Sequence, residues 1–589
     1  MNPWSAAKWY VLTKALGSVP GMKVMLLDST TSATVGLVCS QSQALECQVY
    51  HVDKLDNPRR KRLDGFRAVV IVRPSSDNLR VLRQELADPK FDEYHLFFTN
   101  TVHDHHLQDI ARSDFSQVVR QVQELYLDFS PLGPDLVTVE EGSCIPLEPP
   151  AWDQVLFDRL CDSVVSILLA LKVQPTIAYQ LNSPPACKIA MEVGERIETG
   201  NHSSDRHLFC FGRGSDSMGG QQARQSDQSA VLLLLDRRDD PVTPLLTQWT
   251  YAGMLHETLG LRHNRVSLNK GQGENEQEVV LNCVDDDFYR STQHSVFGEL
   301  GSALKTVVDE FQQSEACSIA AGSKSRLSSI ADIDRFMQNY PGFKKHQGMV
   351  AKHVTLTSEL SAAVEQRNLM DLSELEQELA CEESMSESFN RVETYLADPN
   401  VQAADKLRLV MLYSLRYQKE GEREIRFLER SLLDCGLDKE QVAVVGLLRQ
   451  HAGVAVRGSD IFNKRTVMGA AKGLVRRQMQ EIKGVSNVLT RYEPLLASRL
   501  AALKMGGVGA LRDSEFKVLG GARAGRPQLI IVFMLGGATY AEARCVADFN
   551  RDNASSGLRA ILGSNVMHST SSYIQDIGRV KAEFQKEQK

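Results

Sequence analysis

The stretch VLLLLDRRDDPVTPLLTQW, residues 231 to 249, runs five apolar residues into Asp236, Arg237, Arg238, Asp239 and Asp240, then Pro241, Thr243 and Pro244. In an open parallel sheet, ligands bind beyond the carboxyl ends of the strands. Carboxylates and guanidinium groups in that place suit a metal ion or a phosphoryl group. The turn MLGGATY, residues 534 to 540, also follows an apolar run and opens helical sequence, so its backbone N–H groups could face an anion. Asp236, Arg238 and the Gly536–Gly537 pair would then outline an α/β enzyme acting on a phosphorylated ligand. Against this, neither segment carries a P-loop lysine. Asp–Arg pairs at the end of a buried strand serve equally well to pin a corner. On that reading Asp236, Arg238, Asp240, Pro241, Thr243 and Pro244 are structural, with Thr243 as N-cap and Pro244 in the first turn of a helix. The helix would show Leu245, Trp249, Ala252, Leu255 and Leu259 on one face and stop at Gly260.

Other reactive clusters fall short of a site. HDHH at 103 to 106 has no facing i, i+4 pair and no second cluster to complete a metal shell. HETLGLRH at 256 to 263 has Gly260 where a zinc-binding helix needs its second histidine. GRGSDSMGG at 212 to 220 precedes a strand, whereas a dinucleotide loop follows one. No metal or cofactor is expected.

The elements that would position these residues can be read from periodicity. Short apolar runs at 23–28, 47–52, 68–72 and 94–98 alternate with helical stretches, the pattern of a parallel sheet buried on both faces. A second α/β region contains the helix at 152–173 and the strand at 231–235, separated by a Gly/Ser/Gln-rich segment at 198–230 that reads as a flexible loop. From about 243 to 450 the chain reads as mainly helical. PQLIIVFMLGGATYAEARCVADFN then restores α/β character, with Thr539 and Glu542 at capping-box spacing. The expected organisation is an α/β domain at 1–133, a discontinuous α/β domain at 134–240 and 470–589, and a mainly helical insertion at 241–469.

At 589 residues the chain exceeds one hydrophobic core. Its net charge of -7 disfavours nucleic acid as the main partner, which would need a basic face. Eleven scattered cysteines without a CxxC pair suit a reducing compartment. The N-terminal segment lacks the apolar core of a signal peptide, and no run is long enough to span a bilayer.

LLLLDRRDDPVTPLLTQWTYAGMLHETLG resembles the signature of the Sec-one/Munc-eighteen (SM) family, which chaperones SNARE assembly in vesicle fusion. The resemblance extends in order through VVIVRPSSDNLRVLRQELADPKFDEYHLFFTN, FGELGSALKTVVDEF, YPGFKKHQGMVAKHVTLTSEL and LIIVFMLGGATYAEAR, and points to the endosomal and trans-Golgi branch. It implies a three-domain arch with no enzymatic activity and no cofactor. It implies a cytoplasmic monomer, recruited to trans-Golgi and endosomal membranes through a syntaxin-type (Qa) SNARE and a vesicle SNARE. Two sites carry over. A pocket for the N-terminal peptide of the syntaxin maps to Leu107, Ile110, Ala111, Val119 and Val122. Their spacing fits two facing helices enclosing an apolar groove, and fits core positions as well. The second site is a helical hairpin whose base is the helix from 299 and whose return arm starts near 348, with Pro341 as its hinge.

Overall fold

The computed structural model describes residues 2–144, 152–202, 229–268, 277–307, 341–381, 384–458, 461–462, 488–519 and 526–586. The segment expected to form a flexible loop before residue 230, and the hairpin loop SEACSIAAGSKSRLSS, lie largely or wholly outside these residues.

The first sheet contains β1 (Lys23–Leu27), β2 (Val49–Lys54), β3 (Arg67–Val72), β4 (Glu93–Phe98) and β5 (Val119–Glu124), in the order β2-β1-β3-β4-β5 and parallel throughout. Side chains alternate across a strand, so each strand feeds two layers. Val24, Leu26, Val70, Leu96 and Phe98 pack under the helices Ser76–Ala87 and Asp104–Ser113. Met25, Leu27, Val69, Ile71 and Phe97 face the opposite way and join the large core shared with the rest of the chain. Two buried faces explain why the central strands β1, β3 and β4 are apolar at nearly every position, whereas the edge strands β2 and β5 are more polar and more exposed.

The second sheet gathers β6 (Ser130–Gly133), β7 (Leu136–Thr138), β8 (Thr176–Gln180) and β9 (Ala230–Asp236) with β12 (Phe516–Leu519), β13 (Leu529–Leu535) and β14 (Arg559–Ser564). Between them in sequence lies a two-stranded hairpin, β10 (Arg265–Leu268) and β11 (Gln277–Val280). The order is β12-β8-β9-β13-β14-β7-β6, with β12 and β6 antiparallel at the edges. β9 and β13 are adjacent and parallel, and every residue of both is buried. β6 falls within the span expected for the first domain, 1–133, yet joins the second sheet. Ser130 pairs with Thr138, so the second sheet starts before that boundary.

Between β11 and β12 the described chain is mainly helical. The helix Ala403–Arg416 is buried without a break from Asp405 to Leu415, so it has no solvent face and forms the centre of this region. Its Arg408 is neutralised by Glu376 at 2.6 Å and by Asp405 at 3.0 Å. The helix Lys439–Ala452 packs on the C-terminal helix Thr570–Lys586, which joins the helical region to the second sheet.

Candidate functional site

The charged run after β9 is almost wholly buried, and each charge has partners. The Asp236 carboxylate accepts from Arg238 Nη2 at 2.7 Å, from the Arg238 backbone N–H at 2.9 Å and from Ser183 Oγ at 2.6 Å. Burial alone would push this carboxyl up. The charge of Arg238 and the hydrogen bonds from Arg238 and Ser183 outweigh it and hold the group below the usual carboxylate range. Arg237 pairs with Glu542 and donates to the carbonyls of Gly537 at 3.1 Å and Asp240 at 2.9 Å. Asp239 accepts from Asn182 at 2.9 Å, from the Gly458 N–H at 2.9 Å and from Gln180. Here burial prevails and pushes the carboxyl up. Asp240 accepts from Thr243 Oγ1 at 2.7 Å, the Tyr492 hydroxyl at 3.0 Å and the Leu495 N–H at 2.9 Å. One short segment thus ties β8, the region after residue 457, the 492–495 segment and the 537–542 turn.

The Gly536–Gly537 turn is equally occupied. Both glycines have positive φ, +82° and +90°. A Cβ on Gly537 would lie 2.1 Å from the His568 ring, and one on Gly536 would lie 2.9 Å from Arg237. The Gly537 N–H donates to Asn565, the Ala538 N–H to Val566 and the Thr539 N–H to Glu542, so the protein itself fills the place an anion would take. A cavity lined by Asp236, Arg237, Gly536 and Tyr573 measures about 20 Å³, room for one water and not for a substrate.

Thr243 does not cap the following helix. Its N–H and hydroxyl are both taken by Asp240, which closes a short 3-10 turn at Thr243–Leu245; Leu246 is already extended. The helix is Tyr251–Leu259, capped by Thr250 and ended by Gly260 in the left-handed region. Leu245 and Trp249 therefore precede it.

The five residues expected to line a groove lie on the helix Asp104–Ser113 and on β5. The expectation of two facing helices is corrected: Val119 and Val122 are on an edge strand. Asp114 accepts the N–H groups of Val118 and Val119, and Gln117 takes φ +53°, which turns the chain out of the helix. Residues three apart in a regular strand point to opposite faces. Here Tyr94 pairs with Val119, His95 with Gln121 and Leu96 with Val122, so the register gains one residue and both valines share the face of Tyr94 and Leu96. Leu107 and Val119 are half-buried against that layer, Ala111 is exposed, and Val122 is 45% exposed. Ile110, at 3%, belongs to the buried layer itself. Phe115, 81% exposed on the turn between helix and strand, is a further apolar residue there that periodicity does not single out.

His103, His105 and His106 cluster around the helix start, with ring centroids 3.9 to 6.3 Å apart, and no metal-holding group occurs among the described residues. The helix Pro341–Gln366 begins at the residue expected to act as a hinge. No described helix is long and apolar enough to cross a membrane.

Comparison with known proteins extends these observations. The pattern of the Sec1 family matches residues 23–576. The chain is 38% identical over 577 residues to the vacuolar protein sorting-associated protein 45 homolog of Arabidopsis thaliana, covering 96% of each chain. It is 35% identical over 580 residues to vacuolar protein sorting-associated protein 45 of Homo sapiens, covering 98% of this chain and 96% of that one. Among solved structures it is similar to the SM protein Vps45 in complex with the Qa SNARE Tlg2, with TM-score 0.85, 34% identity and 99% of both chains covered. With the Unc18 protein of the Monosiga brevicollis Unc18–syntaxin 1 complex it shares the fold, with TM-score 0.78 at 19% identity over 98% of this chain and 100% of that one.

Proposed function

The chain belongs to the Sec1 family, and from that membership we propose that it is a SNARE-binding assembly chaperone for vesicle fusion in endosomal, trans-Golgi and vacuolar transport. Its fold is the three-domain SM arch of two parallel-sheet α/β domains and a mainly helical third. The observation that carries the reading is likeness over 99% of both chains to an SM protein solved with its Qa SNARE.

In this reading the first domain, ending before Ser130, captures the N-terminal peptide of a syntaxin-type SNARE. Leu107, Val119 and Val122 line the groove, Ile110 is its floor and Ala111 its rim. The second domain is discontinuous, built from the segments on either side of the helical insertion. The third domain offers its hairpin, hinged at Pro341, to SNARE helices. The protein acts as a monomer and reaches membranes through its SNAREs. The segment Asp236–Pro244 holds the second and third domains together and performs no chemistry. Its buried and partnered charges support that role over catalysis on a phosphorylated ligand.

Thermal shift separates the two roles, because a ligand that binds only the folded state raises its stability by mass action. A syntaxin N-terminal peptide should raise Tm, while nucleotides and sugar phosphates should leave it unchanged. A shift with the phosphorylated ligands alone would reverse the assignment.

A further inference from the structure

Among the described residues a second buried polar cluster joins the bases of the hairpin. Asp286 caps the helix Asp287–Thr292 by accepting the Tyr289 N–H at 2.9 Å. The chain from there passes through the Thr250–Val296 bridge into the outgoing arm, the helix at 297–307. On the return arm His353 is fully buried. Its Nε2 lies 3.0 Å from Asp286 Oδ2 and its Nδ1 lies 2.8 Å from the Tyr251 hydroxyl. The carboxylate assigns the proton to Nε2, which leaves Nδ1 to accept from Tyr251. Lys352 also reaches Asp286 and donates to the Val280 carbonyl at 3.2 Å. The imidazole is held by the Phe288 ring at 4.6 Å and the near-parallel Tyr289 ring at 6.4 Å.

We propose that Asp286, His353 and Tyr251 form a clasp between the bases of the two hairpin arms, which fixes the face that the return arm offers to a SNARE helix. The inference rests on the chaperone reading above. Buried polar groups cost desolvation that a well-packed apolar residue avoids, so retaining them at this joint is accounted for by orientation rather than by stability. The apolar contacts of the return arm, Leu356 and Leu360, tolerate sliding; a histidine bonded at both nitrogens does not. Rotating the arm by one residue, about 100°, would break both bonds. With the clasp closed, His353, Leu356 and Leu360 face inward, and Ala351, Val354, Thr355 and Ser358 are exposed. The clasp residues are positioning residues and touch no partner.

The test compares His353→Leu, which fills the space without hydrogen bonds, with His353→Gln. The glutamine amide can donate to Asp286 and its carbonyl can accept from Tyr251. Two probes are titrated into each full-length protein: the recombinant SNARE motif of a vesicle SNARE, and the syntaxin N-terminal peptide. His353→Leu should weaken SNARE-motif binding about tenfold, or ~1.4 kcal/mol. His353→Gln should restore most of it, and peptide binding should not change in either. Wild-type affinity for the SNARE motif in His353→Leu would overturn the clasp. So would a glutamine variant as impaired as the leucine one, because the loss would then belong to packing. Should His353→Leu not fold, Tyr251→Phe replaces it, since phenylalanine keeps the ring and removes only the hydroxyl that bonds Nδ1; the same loss or retention of SNARE-motif binding decides. A wild-type protein that binds the peptide but not the SNARE motif would defeat the hairpin reading itself.

Discussion

Arg237 and Glu542 stand 305 positions apart and form an ion pair in which the side chains are 3% and 1% exposed. One follows β9 and the other lies in the helix after β13, so the pair bridges two segments of the second sheet that lie on either side of the helical region. Removing one partner leaves a buried charge alone, at a cost of about 3–5 kcal/mol. Glu542→Gln or Arg237→Met should lower the denaturation midpoint accordingly. The double substitution should cost less than the sum of the two. Denaturant unfolding of the three variants measures the coupling, and strict additivity would show that the pair is not a unit.

The groove yields a contrast within one helix. Leu107 is half-buried and Ile110 is at 3% exposure. Leu107→Arg can send its charge to solvent, so the protein should fold and lose about 2 kcal/mol or more of syntaxin-peptide affinity. Ile110→Arg should fail to fold, because its charge enters the layer beneath. A folded Leu107→Arg protein with normal peptide affinity would refute the groove.

The His568 imidazole is pushed down to about 3, mainly by burial and then by the Arg237 charge. In the unfolded chain it titrates near 6.5. Above pH 6.5 both states are neutral and the stabilisation is complete. Between about 6.5 and 3 only the unfolded state takes up the proton, so stability falls as pH falls, by up to ~1.4 kcal/mol per pH unit. His568→Gln should remove one proton's share of the slope below pH 6.5, while His256 and His294, each pushed down to about 4 mainly by burial, keep theirs. An unchanged slope would mean that His568 does not contribute to it.

Proline inside a helix costs about 3 kcal/mol and biases the residue before it away from helical geometry. Any arrangement in which the return arm continues as helix back through Pro341 bears that cost. Pro341→Ala removes it and should raise the extended population by up to about a hundredfold. Tighter vesicle-SNARE binding and faster SNARE assembly should follow, with syntaxin-peptide affinity unchanged. Equal or weaker vesicle-SNARE binding in the folded variant would show that the proline is not a brake.

The strands were legible because two buried faces leave little room for polar residues, as in β9 and β13. Val119 and Val122 were misread for a specific reason. Apolar residues three apart imitate a helix, and the register shift that puts them on one face of a strand leaves no mark in hydrophobicity. Thr243 followed by Pro244 has the form of a helix start, yet Asp240 captures both groups Thr243 would use. The clasp was illegible because His353 meets partners 67 and 102 positions away. Local patterns do not encode such distances.

The most direct test of the central claim is calorimetric titration of the full-length protein with the cytosolic regions of a panel of syntaxin-type SNAREs, each with and without its N-terminal segment. One member should bind with one-to-one stoichiometry and lose most of its affinity when the segment is removed. The absence of binding by every member, from a protein that is folded by thermal unfolding, would contradict the account.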